Sequence, residues 1–143
     1  MDIDAITSEI IGGAIRVHSW LGPGLLEHAY RACLAQELVD RGLSVRVEVP
    51  VPLQYRGVRI DIGYRIDLLV NDLVLVELKA IERVLPLHEA QALSYLRLGG
   101  LPVGLLINFN VLRLRDGIRR IVNQVPRSPS GIGTPGEDTR LKR

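Results

Sequence analysis

The chain has 143 residues, 47% of them hydrophobic and only 4% aromatic, with a formal net charge of +2. That is the length of one domain with enough Leu, Ile, Val and Ala to close a core, and so small a charge is weak evidence for nucleic acid, whose electrostatic footprint must come from local clustering. The single Cys33 excludes an internal disulfide and a cysteine-built zinc site. The charge excess also comes from one stretch. Arg127, Arg140, Lys142 and Arg143 outnumber Glu137 and Asp138 in residues 126–143, and the first 125 residues are balanced. The opening Met1-Asp2-Ile3-Asp4 has no basic-then-apolar leader, and no apolar run approaches the roughly 18 residues of a membrane span. A cytoplasmic location is the expectation.

Asp2 or Asp4 caps a first helix reaching about Trp20, with Ile3, Ile6, Ile10, Ala14 and Val17 on its buried face. Gly12-Gly13 within it suggests close packing against another element. Leu21-Gly22-Pro23-Gly24 breaks the chain. Pro23 suits the first turn of a second helix, which Arg41-Gly42 ends. Cys33 falls inside that helix and is expected to be a small buried side chain. Val45, Val47, Val49 and Val51 alternate with Arg46, Glu48 and two prolines, as in a half-exposed edge strand. Arg56-Gly57 is a turn. Strands follow over 58–62, 64–70 and 73–79, the last two apolar enough to be buried on both faces. Pro86 opens a third helix, Leu87 to Leu98, closed by Gly99-Gly100. Val103 to Phe109 is another buried strand. Asp116-Gly117 joins 111–115 to 118–122 as a tight hairpin. Residues 1–125 form the domain, a mixed central β-sheet flanked by helices, and 126–143 read as a flexible Pro-, Gly- and Ser-rich tail.

Asp67, Glu77 and Lys79 stand out because each interrupts an otherwise aliphatic strand. Lys79 is one of two lysines in the chain; the other sixteen basic residues are arginine. An ammonium is a compact charge whose proton affinity responds to burial, unlike a guanidinium. Glu77 and Lys79, two apart, share a strand face. The position of Asp67 depends on the turn at Asn71-Asp72. A two-residue loop sets it opposite Val76, with Glu77 on the other face. A three-residue loop sets it opposite Glu77, Cβ atoms about 5 Å apart, where two carboxylates suit one Mg²⁺. The odd loop, or an equivalent bulge, is the expectation. A plain buried ion pair between Asp67 and Lys79 is the competing reading.

Asp67 followed by Glu77-Leu78-Lys79 on the next strand resembles the PD-(D/E)XK nuclease signature, with Ile66 where the superfamily name has proline. Gly24-Leu25-Leu26-Glu27-His28-Ala29-Tyr30 resembles the motif of the GxxExxY family within that superfamily. His88-Glu89-Ala90-Gln91 and Gly104-Leu105-Leu106-Ile107-Asn108-Phe109 are also similar to it, so the likeness spans residues 5 to 123. It implies a restriction-endonuclease-like core with a metal site at one end of the sheet. Asp67, Glu77 and the backbone carbonyl of Leu78 would hold Mg²⁺ or Mn²⁺. Lys79 would orient or deprotonate the attacking water, Glu27 would add a carboxylate and Gln91 a polar contact. The implied activity is metal-dependent hydrolysis of phosphodiester bonds in nucleic acid, DNA before RNA.

Several side chains carry two readings. Glu27 lies near a helix start and four before Arg31, which is a structural reason for a carboxylate there. Tyr30, one turn on, either contacts substrate or packs with its hydroxyl bonded. His88, Gln91 and Tyr95 form a polar stripe opposite Ala90, Leu93 and Leu96, which is either a solvated face or one turned to the site. His18 and His28 are surface or packing residues. In the final hairpin Arg113 falls opposite Arg120, a repulsion that nucleic-acid phosphate or a neighbouring subunit's carboxylates would relieve, or a solvated edge that discourages strand pairing. A non-catalytic nucleic-acid-binding or self-assembling module is the alternative to a nuclease, and a hydrolase of nucleotides or other small phosphates is a third reading. The Val-rich edge strand makes a homo-oligomer an expectation.

Overall fold

The computed structural model describes residues 1–124; the segment expected to be a tail lies outside them. Helix α1 spans Ile3–Leu21 and α2 spans Glu27–Asp40. Strands β1 (Val45–Pro50), β2 (Leu53–Tyr55), β3 (Val58–Ile60), β4 (Arg65–Val70) and β5 (Val74–Lys79) follow. Helix α3 (Pro86–Gly99) crosses to β6 (Val103–Asn108), and a 3₁₀ turn over Leu114–Gly117 leads into β7 (Ile118–Val122). The central sheet has the order β1-β4-β5-β6-β7, with β5 and β6 parallel and the other neighbours antiparallel. β2 and β3 form a separate hairpin, turned at Arg56 and Gly57, both at positive φ.

The sheet lies between two cores. Ile6, Ile10 and Val17 of α1 and Leu34 and Leu38 of α2 pack with Leu68, Val70, Val74 and Val76 on one face. Ala92, Tyr95 and Leu96 of α3 pack with Ile66, Leu69 and Leu75 on the other. β6 is buried throughout because both layers cover it. Helix α1 begins as its sequence indicates: Asp2 Oδ1 accepts the N–H of Ala5 at 2.8 Å. Gly12 and Gly13 let α2 approach. A Cβ on Gly13 would come within 3.0 Å of the Leu38 side chain, and one on Gly12 within 3.0 Å of Arg41 Nη1.

Four expectations give way. α2 starts at Glu27, not at Pro23, because Gly22 and Gly24 take φ of 68° and 103° and residues 23–25 form a bend. Cys33 lies on the exposed face of that helix. Ala90 is exposed, and the buried face of α3 is Ala92, Tyr95, Leu96 and Gly99. The hairpin at Asp116-Gly117 does not form. β7 pairs with β6 directly, Ile107 opposite Ile118, and residues 109–117 make an excursion that ends in the 3₁₀ turn. Gly117 is needed for a different reason than a turn: a Cβ there would strike the carbonyl oxygen of Asn108. Arg113 and Arg120 therefore do not oppose each other.

The valine alternation of β1 also breaks. Val45 packs on the α1/α2 core while Val49 belongs to the α3 core, four residues on, and Val47 is exposed. The break falls at Glu48, whose φ is 53°. β4 breaks likewise: Ile66 joins the α3 core and Leu68 the other, although residues two apart normally share a face. Val47 pairs with Leu68 and Val49 with Ile66, so the two breaks, at Glu48 and Asp67, face each other.

Candidate active site

The β4–β5 connection decides where the carboxylates go. Val70 pairs with Val74, Leu69 with Leu75 and Leu68 with Val76. Three residues therefore link the strands, with Asn71 and Asp72 both in the left-handed region. The same register carried one step further sets Asp67 against Glu77. There the ladder stops and the side chains take over its hydrogen bonds. Glu77 Oε1 accepts the N–H of Asp67 at 3.0 Å, and Asp67 Oδ2 accepts the N–H of Leu78 at 2.8 Å. Each carboxylate thus satisfies a backbone donor of the opposite strand that would otherwise be left unpaired.

This exchange concentrates charge where little water reaches. Glu77 is 8% exposed. Burial, then the neighbouring charge of Asp67, pushes its carboxyl up to about 8, while the Asp67 N–H and Lys79 pull it back and Glu27 adds to the rise. Asp67 is also raised, by burial first, against the Leu78 N–H, Arg31 and Lys79. Lys79 closes β5, level with Asn108 of β6, and lies two residues beyond Glu77. Its charge favours the ionised form of both carboxylates. The segment after it is clamped. Asn108, 2% exposed, accepts the N–H of Ile81 at 3.1 Å and donates to the Ile81 carbonyl at 2.9 Å.

The other expected residues divide. Glu27 is the first residue of α2, and its charge is felt at Glu77. It does not complete a third ligand: among the described residues no group of three His, Cys, Asp or Glu side chains is placed to hold a metal ion. Tyr95 of α3 lies within electrostatic reach of the pair. Burial raises its phenol, and the charge of Glu77 raises it further. Gln91 Nε2 donates to its hydroxyl at 3.3 Å, which ties these two side chains of the stripe together. His88 is occupied locally, its Nδ1 accepting the N–H of Leu85 at 2.9 Å where the helix begins.

Tyr30 is fully buried and offers nothing to a nucleic acid. Its ring stacks on Phe109 with centroids 4.5 Å apart, and its hydroxyl donates to the Gly22 carbonyl and accepts the N–H of Leu25 at 3.1 Å. It pins the bend in which Gly24 sits. Arg120 is engaged within the chain, donating to Thr7 Oγ1 and Asp4 Oδ1, both at 3.2 Å. Arg113 lies on the exposed excursion beside a 330 Å³ cleft lined by His18, Ser19 and Arg115. His18 packs there, its Nε2 2.7 Å from the Val111 carbonyl.

Three site residues escaped the sequence reading. Arg31 Nη1 lies 3.3 Å from Glu48 Oε1 and 3.6 Å from Asp67 Oδ1. Tyr64 tilts against Tyr95 with ring centroids 5.4 Å apart. Arg31 and Glu48 are seventeen positions apart on different elements, so no local spacing signals them. The Glu27–Arg31 interval pointed to a helix-surface pair instead.

With this geometry in place, the chain belongs to the PD-(D/E)XK nuclease superfamily: the model of that family matches residues 4–121. No curated protein and no solved structure matches the chain. The mixed five-stranded sheet between helices agrees with that family's fold. No helix among the described residues is long and apolar enough to cross a membrane.

The donor chemistry fits a hard divalent cation. Two carboxylates on adjacent strands offer oxygen only, and their mutual repulsion in a buried setting is what such a charge relieves. Mg²⁺ commonly takes one or two carboxylates and keeps several waters, so a two-carboxylate site is sufficient.

Proposed function

We propose that this chain is a divalent-metal-dependent nuclease of the GxxExxY branch, acting through residues 1–125 on phosphodiester bonds of DNA, with RNA as the second substrate. The observation that carries the reading is the opposition of Asp67 and Glu77 across two strands, with Lys79 two residues further along. Asp67, Glu77 and the Leu78 carbonyl would hold Mg²⁺ or Mn²⁺. Bound there, the ion supplies a water of lowered pKa and neutralises charge on the phosphate. Lys79 hydrogen-bonds the water or a phosphate oxygen as charge develops. Glu27 adds negative potential from the start of α2. Gln91 and Tyr95 shape the wall against α3 and orient what enters. The branch assignment is supported by what the Gly24, Glu27 and Tyr30 spacing does physically: a left-handed glycine, a helix-starting carboxylate and a tyrosine that pins the bend.

The test is incubation of purified protein with single- and double-stranded DNA and RNA, with and without Mn²⁺. Metal-stimulated cleavage is expected, and Asp67→Ala and Glu77→Ala should each reduce it by at least roughly 100-fold with the fold intact by circular dichroism. Cleavage unchanged in both variants removes the assignment. Binding of polynucleotide without turnover would turn it to the non-catalytic alternative.

A further inference from the structure

Arg31 bridges Glu48 and Asp67. Asp67 has one carboxylate oxygen, Oδ2, committed to the Leu78 N–H. The other, Oδ1, faces Arg31 at 3.6 Å, and the same Nη1 atom reaches Glu48 Oε1 at 3.3 Å. Glu48 meets it from the one position of β1 that leaves extended conformation, at φ 53°, an unfavourable backbone state for a residue with a side chain. That break faces the break at Asp67 across the ladder. A cation therefore stands at the second oxygen of a candidate metal ligand, shared with a second carboxylate that is itself 55% exposed.

Resting on the nuclease reading above, we propose that Arg31 is a positioning residue that occupies the cation's place at Asp67 and is handed over to Glu48 when a divalent ion binds. In the metal-free protein Arg31 stands 3.6 Å from Asp67 Oδ1 and occupies the side of the carboxyl group that an ion would approach. When Glu48 takes the guanidinium, Asp67 Oδ1 is free, and the guanidinium remains near the site as a donor for a phosphate oxygen. Arg31 thus opposes metal binding, whereas a purely structural arginine would assist it.

Calorimetric titration of Mn²⁺ into the whole chain distinguishes the two. Arg31→Met should tighten Mn²⁺ binding on the order of tenfold, the effect of removing one nearby positive charge. Glu48→Gln should weaken it several-fold, since the guanidinium then stays on Asp67. In the Arg31→Met background Glu48→Gln should change affinity by less than about twofold, because its effect runs through Arg31. Equal or weaker binding in Arg31→Met overturns the inference, as does a Glu48→Gln effect that persists undiminished in the double variant. If Arg31→Met does not fold, Glu48→Gln alone decides: unchanged or tighter binding overturns it. No binding heat in the wild type overturns the nuclease reading itself, and the inference with it; wild-type binding with the wrong signs in the variants overturns the inference only.

Discussion

The β4–β5 pair has two halves built on opposite rules. From Leu68 to Val70 and Val74 to Val76 the strands pair by their backbones and bury aliphatic side chains on both faces. One step further, at Asp67 and Glu77, the backbones part and carboxylates bond the opposing strand's N–H groups. The first half contributes stability through apolar area removed from water. The second places two carboxyl groups where water is scarce and where burial and the charge of Asp67 oppose ionisation of Glu77, at a cost to stability that the first half offsets. A fold can hold such a site only where it is flanked by a pairing register that cannot slip, and a one-residue slip here would exchange the faces of every side chain.

Substitutions in each half should therefore differ in kind. The largest loss of stability is expected in the ladder half: Leu75→Ala, at a fully buried position, should cost about 2–5 kcal/mol in chemical denaturation while leaving cleavage per folded molecule unchanged. A loss of cleavage exceeding the loss of folded protein would show that the halves are not separable. In the site half the sign reverses. The native state holds the Glu77 proton up to about pH 8, against an ordinary value of 4.5. Its contribution is therefore fully present below pH 4.5 and is lost as pH rises through about 8. Metal-free Glu77→Gln should unfold with a flatter pH profile and be more stable than wild type at pH 8.5, by on the order of a few kcal/mol. Denaturation curves of the two proteins at pH 5 and 8.5 decide it, and parallel profiles would contradict it.

Smaller effects refine the boundary of the site. Tyr30→Phe removes both hydrogen bonds that pin the bend before α2. It should lower stability by about 1–3 kcal/mol and leave the affinity for polynucleotide, measured by fluorescence anisotropy, unaltered. Arg120→Ala breaks a contact with the exposed Asp4 and should cost less than about 1 kcal/mol in thermal unfolding, again without effect on polynucleotide affinity.

Much of this was legible in the residues. The aliphatic runs over 66–70, 74–78 and 103–107 announce strands covered on both faces, and the rarity of lysine singles out Lys79. The parity of the loop at Asn71-Asp72 was the deciding geometric choice, and the three-residue connection meets the expectation. Local signals failed where a residue answers to a distant partner. Asp116-Gly117 has the composition of a hairpin turn, yet Gly117 is there to clear the Asn108 carbonyl. Pro23 suits a helix start, yet Tyr30, seven residues on, ties the chain into a bend first. Strict alternation in β1 hid the reversal at Glu48, because a left-handed backbone at a glutamate leaves no mark in composition.

That reversal has a bearing on assembly. β1 is an outer strand of the sheet, and its run of valines invites another chain to dock alongside. An incoming strand would find only Val45 to Val47 regularly extended before the direction of the peptide groups changes, and beyond it Pro50 and Pro52 have no amide hydrogens to give. Three regularly extended residues make a short template, so the backbone break that faces Asp67 also limits strand pairing along this flank.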